Sequence, residues 1–279
     1  MMQPADSLGD RPAAALSETF AALRARGEMA LMPFLTAGYP TRPAFLEHLR
    51  TVIDAGADLI EIGIPFCDPI ADGPTIQHSS QVALENGARL RDILDDLAPL
   101  EPRVPLIAMS YLNPLIAMPR ERLFERLRAA HVRGLIIPDL PADEATEWSA
   151  ATREAGLCLA LLAAPTSPDE RLRLIGRAAA GFVYAVSLAG TTGARSELPP
   201  ELPAFLRRVR AAAGLPVAVG FGISRAEQIR SLRGLADGVV VGSRLVEAIR
   251  RGEDVAALIA ELKHAIRAPR EGAGSARGG

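Results

Sequence analysis

Short apolar runs recur along the chain at Ala30–Leu35, Leu59–Ile62, Leu106–Met109, Leu135–Ile137, Leu157–Leu162, Phe182–Val186, Val217–Val219 and Gly238–Val241. Each is continuous rather than alternating, the pattern of a strand buried on both faces. Between them lie amphipathic stretches, among them 43–55, 89–98, 120–130, 142–155, 168–179, 200–213, 225–233 and 244–250, with arginine and glutamate on the solvent side. That periodicity predicts helices. Eight strand-then-helix units in one stretch of about 230 residues point to an α/β fold, a single (β/α)8 TIM barrel with an extra N-terminal helix. A doubly wound open sheet is the alternative.

The barrel is expected over residues 16–267, with flexible tails at 1–15 and 268–279 that are rich in small, polar and turn-forming residues. Apolar residues make up 49% of the 279, which excludes global disorder. The net charge of −2 gives no electrostatic reason to expect a nucleic-acid or membrane partner. Asp6 and Asp10 fall where a signal peptide would need apolar residues, and no apolar run approaches the ~18 residues of a membrane span, so a cytoplasmic location is expected. The two cysteines, Cys67 and Cys158, are too few for a disulfide scaffold and read as inert thiols.

One count narrows the chemistry. Lys263 is the only lysine, and it lies in the last helical stretch. A Schiff-base aldolase or a pyridoxal-phosphate enzyme needs an amine in its site, so neither fits. His48, His78, His131 and His264 have no paired spacing, so no metal site is expected. The remaining chemistry falls to carboxylates.

Barrel enzymes carry their chemistry just beyond the strands, on the C-terminal face. Gly193, Gly222 and Gly242-Ser243 follow the last three runs. Glycine amides backed by a helix start form an anion cradle, and barrels place their phosphate site at these loops; tight turns are the plainer reading. Glu61 interrupts the second run, where a carboxylate must be paired or protonated. It is either half of a core salt bridge with arginine or a general acid/base with a raised pKa. Asp72, eleven residues on, is a second such group or a turn residue. Phe34, Tyr111, Tyr184 and Phe221 sit near strand ends and could line a pocket for a flat ring or simply fill the core.

The segments Phe34-Leu35-Thr36-Ala37-Gly38-Tyr39-Pro40 and Glu61 through Gln77 resemble the tryptophan synthase alpha chain family, as do Pro138-Asp139-Leu140-Pro141 and Gly220-Phe221-Gly222-Ile223-Ser224. The resemblance spans roughly residues 17–265. It implies a barrel that cleaves indole-3-glycerol phosphate to indole and glyceraldehyde 3-phosphate without a cofactor of its own. It also implies an alpha2beta2 tetramer with a pyridoxal-phosphate beta chain that turns the indole into L-tryptophan. By the same resemblance, Glu61 and Asp72 are the catalytic carboxylates. Phe34, Tyr111, Tyr184, Thr192 and Phe221 are indole-pocket positions, and Gly193, Gly222, Gly242 and Ser243 bind phosphate. The sequence departs from the family at Leu188, where arginine is frequent, at Thr191, where valine is usual, and at Cys67, where serine is common. The alternatives are a stand-alone lyase that releases free indole, another phosphate-binding barrel enzyme, and a barrel kept only as the partner of a beta subunit.

Overall fold

In the computed structural model of the chain, which describes residues 12–186, 198–220 and 222–267, the eight apolar runs become eight parallel strands. The order begins α1 (Pro12–Ala25), β1 (Ala30–Thr36), α2 (Arg42–Asp54), β2 (Ile60–Gly63), α3 (Pro74–Glu85), α4 (Leu90–Leu97) and β3 (Leu106–Met109). It continues α5 (Leu112–Ile116), α6 (Arg120–Ala129), β4 (Val132–Ile136), α7 (Thr146–Glu154), β5 (Cys158–Ala163), α8 (Asp169–Ala178) and β6 (Val183–Val186). Then come α9 (Leu202–Ala213), β7 (Val217–Gly220), α10 (Ala226–Ser231), β8 (Gly238–Val241), α11 (Ser243–Arg251) and α12 (Val255–Arg267). Each strand pairs with the next, and β1 pairs with β8, so the sheet closes into a (β/α)8 barrel without free edges. The open-sheet alternative is thereby excluded.

The strands are buried almost throughout, which is why they read as unbroken apolar runs. Three boundaries differ from the sequence pattern. β4 begins at Val132, because half-buried Arg133 and then Gly134 interrupt its apolar run. The tail expected over 1–15 gives way to α1 at Pro12, since proline suits a first helical position and the alanines behind it favour helix. α3 falls outside the amphipathic stretches marked by the sequence pattern, because its inward face carries Ser79, Ser80 and Ala83 beside Ile76 and so lacks an apolar stripe.

Helix α1 covers the N-terminal end of the barrel. The ring of Phe20 lies 5.7 Å from that of Phe182. Leu16 reaches Gly134 and Gly181, where a Cβ would stand 3.3 and 3.8 Å from its Cδ1. On the same side of the molecule, Lys263 of α12 is buried with its Nζ on both carboxylate oxygens of Asp58, at 2.7 and 2.5 Å. Asp58 also accepts the Leu31 amide of β1. The only lysine therefore pins the last helix to the start of the barrel. Among the described residues no helix is long and apolar enough to cross a membrane.

Candidate active site

With one end sealed, the opening lies at the C-terminal ends of the strands. A cavity of about 410 Å³ sits there, lined among others by Phe34, Glu61, Asp72, Met109, Tyr184, Gly222, Gly242 and Ser243. That volume suits a single small organic molecule.

Glu61 projects from the middle of β2, in register with Phe34 of β1 and Ile107 of β3. It is fully buried, and neither carboxylate oxygen has a hydrogen-bond partner among the described residues. Among the described residues, the arginine salt bridge that would explain it as a core residue does not form. Burial, with a smaller contribution from the negative charge of Asp72, pushes its carboxyl up to about 8.

Asp72 is placed by the loop between β2 and α3. The loop is folded on itself by the Ile70 amide on the Asp68 carbonyl and the Asp72 amide on the Pro69 carbonyl, both at 3.0 Å. Gln77 of α3 donates its side-chain amide to the Asp72 carbonyl at 2.9 Å. The N-cap of α3 is Gly73, with no side-chain cap, so the Asp72 carboxylate is not spent on the helix end. Burial raises Asp72 to about 6, and a hydrogen bond from Tyr111 partly offsets the rise. The Tyr111 hydroxyl also accepts the Ala71 amide at 2.9 Å, and its ring stacks on Phe66 with centroids 5.1 Å apart. Tyr111 does not line the large cavity; it borders a small void beside it and braces the Asp72 loop.

Two rings form the cavity wall because glycines make room for them. A Cβ on Gly63 would lie 2.3 Å from Cζ of Phe34, and one on Gly220 would lie 2.1 Å from the Tyr184 hydroxyl. Burial first, then the charges of Glu61 and Asp72, holds the Tyr184 phenol well above its ordinary value, so it stays protonated.

Beside these rings, the ends of β7 and β8 offer backbone amides that can hold an anion. Gly222 lies in the loop after β7, and Gly242 is the N-cap of α11 with no side-chain cap. The Gly242 carbonyl accepts the Leu245 and Val246 amides, so the amides of Ser243 and Arg244 at the helix start have no intrahelical partner. Arg244, Glu247 and Arg251 of α11 also line the cavity, tied into pairs Arg244–Glu253 and Arg251–Glu247 at 2.6 Å. Sequence reasoning missed these three by assigning the helix's charges to solvent; their spacing of three and four residues was the available signal.

The structure thus gathers Phe34, Glu61, Asp72, Tyr184, Gly222, Gly242 and Ser243 around one cavity. Thr192, Gly193 and Phe221, with Leu188 and Thr191, lie outside the described residues. Cys67 is exposed, whereas Cys158 is buried in β5 with its thiol pushed up to about 11.

A family model described as "Tryptophan synthase alpha chain" matches residues 20–271. A tryptophan synthase alpha chain from Roseiflexus castenholzii is 49% identical over 247 residues, covering 86% of this chain and 95% of the relative. One from Chloroflexus aurantiacus is 44% identical over 263 residues, covering 91% and 99%. Among solved structures, Mycobacterium tuberculosis tryptophan synthase superposes with a TM-score of 0.84 at 38% identity, covering 91% of this chain and 98% of that one. The tryptophan synthase subunit alpha of Legionella pneumophila gives 0.82 at 33%, covering 90% and 98%. The chain belongs to the tryptophan synthase alpha chain family.

Proposed function

We propose that the cavity performs a retro-aldol cleavage of indole-3-glycerol phosphate to indole and glyceraldehyde 3-phosphate. The observation that carries this reading is the fully buried Glu61 carboxyl in the cavity wall, without a hydrogen-bond partner among the described residues. With its pKa near 8 it is protonated at neutral pH and can give that proton to indole C3, making the ring a cationic electron sink. Asp72, near 6, is ionised at the same pH and can neutralise the charge on the ring nitrogen. The carboxylate left on Glu61 then takes the proton of the adjacent glycerol hydroxyl. The C–C bond breaks as the aldehyde forms, and its electron pair returns to the ring as neutral indole. Every proton and electron pair is thereby placed without a cofactor in this chain. Phe34 and Tyr184 would border the ring, with Tyr111 holding the Asp72 loop. Gly222, Gly242 and Ser243, with Gly193, would bind the phosphate, and Thr192 and Phe221 would join the ring pocket.

The indole would pass to a pyridoxal-phosphate beta chain in an alpha2beta2 assembly, in the cytoplasm. The family name supports the partner. The experiment is turnover of indole-3-glycerol phosphate by the chain and its Glu61→Gln variant, with and without a beta chain. A loss of at least ~10²-fold in the variant is expected, and near-equal rates would remove Glu61 from its role. Acceleration by the beta chain is expected of an alpha subunit; an unchanged rate would mark a stand-alone lyase.

A further inference from the structure

We infer that Gln228 is a positioning residue for the anion end of the cavity, locking the Gly222–Arg225 turn with the Gly222 carbonyl turned away from the bound phosphate. The inference rests on the reading of that end as a phosphate site. Gly222 has φ of +83°, a region that glycine enters and leaves freely, so the turn is not fixed by its own backbone. Something outside it must choose its orientation.

Gln228 of α10 is nearly fully buried and engages the turn with both ends of its amide. Its oxygen accepts the Ser224 amide at 2.8 Å and the Arg225 amide at 3.0 Å. Its nitrogen donates to the Gly222 carbonyl at 3.2 Å. Gly222 and Ser224 line the cavity, whereas Gln228 lines a separate apolar groove beside Leu198 and Leu232. The turn therefore lies between Gln228 and the cavity, and the Gly222 carbonyl points out of the site. In a trans peptide the N–H opposes the carbonyl, so the Ile223 amide faces away from Gln228. A flip of that peptide would set a carbonyl dipole against an anion. A neutral amide accepts from two N–H groups and donates to a carbonyl at once, as does a protonated carboxyl. An ionised glutamate keeps the first task and loses the second; methionine loses both.

The test compares the full chain with Gln228→Glu and Gln228→Met. The readouts are KM and kcat for indole-3-glycerol phosphate and the inhibition constants of inorganic phosphate and of indole. Both variants are expected to raise KM and the phosphate constant by roughly tenfold, with kcat within about threefold and indole inhibition unchanged. Gln228→Glu should recover relative to wild type at each lower pH, as its carboxyl takes up a proton and donates again, while Gln228→Met should not. Unaltered phosphate inhibition in both variants would overturn the inference, as would equal weakening of phosphate and indole. A wild type that turns over substrate but ignores inorganic phosphate would also overturn it. A wild type with neither property would remove the phosphate-ester reading itself.

Discussion

The ring of Phe34 occupies the space where a side chain on Gly63 would begin: a Cβ there would stand 2.3 Å from Cζ and 2.6 Å from Cε2. The two residues lie on neighbouring strands, with Phe34 in register with Glu61 and the ring running along β2 toward Gly63. Gly63→Ala must displace the ring into the cavity. The expected cost is about 1–3 kcal/mol in unfolding free energy, with a rise in KM. Phe34→Leu in the same chain should recover part of the loss, so a double-mutant cycle should show coupling above about 0.5 kcal/mol. Additive effects would mean that the strands simply move apart.

The split between the two buried carboxyls sets a pH window. The proposed chemistry needs Glu61 protonated and Asp72 ionised, and their pKa values near 8 and 6 leave both conditions met near pH 7. A plot of kcat/KM against pH is expected to be bell-shaped, with Asp72 governing the rising limb and Glu61 the falling limb. A rate that keeps rising above pH 8 would contradict a proton-donating Glu61.

Tyr111 tunes the lower limb from outside the cavity. Its hydrogen bond favours the ionised form of Asp72, so Tyr111→Phe should raise the Asp72 pKa further and move the rising limb to higher pH. Leaving the Ala71 amide without its acceptor should also cost about 1 kcal/mol of stability. Thermal melts and pH–rate profiles separate the two effects.

Glu61 should also lower the stability of the fold as pH rises. Its carboxyl holds a proton up to about pH 8 when folded but only to about 4.5 when unfolded. Between those values the native state binds more protons, so stability falls as pH rises and the loss is complete above 8. Glu61→Gln removes this dependence. It should melt higher than wild type at pH 8 by an amount equivalent to a few kcal/mol, and nearly level with it at pH 5. Equal differences at both pH values would show that the carboxyl is solvated.

Much of this architecture was legible because barrel strands, buried on both faces, appear as unbroken apolar runs. Where burial was partial the signal failed: Arg133 obscured the start of β4. α3 escaped notice because its inward hydroxyls serve a polar contact, Ser79 to Thr36 at 2.6 Å, in place of an apolar stripe. Glu61 announced itself as a charge inside an apolar run, a placement that demands a cause. Gln228 gave no such sign, since a neutral side chain in a helical stretch looks alike whether it meets solvent or holds a turn. The bracing role of Tyr111 was equally hidden, because it depends on a contact between the β3 end and a loop some forty residues earlier.

The pairing of Lys263 with Asp58 leaves the native surface of the described barrel without a single ε-amine. Acylating cross-linkers and amine-coupled supports should therefore find no lysine handle on the folded barrel. Lysyl endopeptidase has one possible cut, after a residue sheltered where the final helix meets the barrel floor. The rate of that lone scission would clock how often the last helix detaches, giving a proteolytic gauge of barrel opening with no engineered reporter.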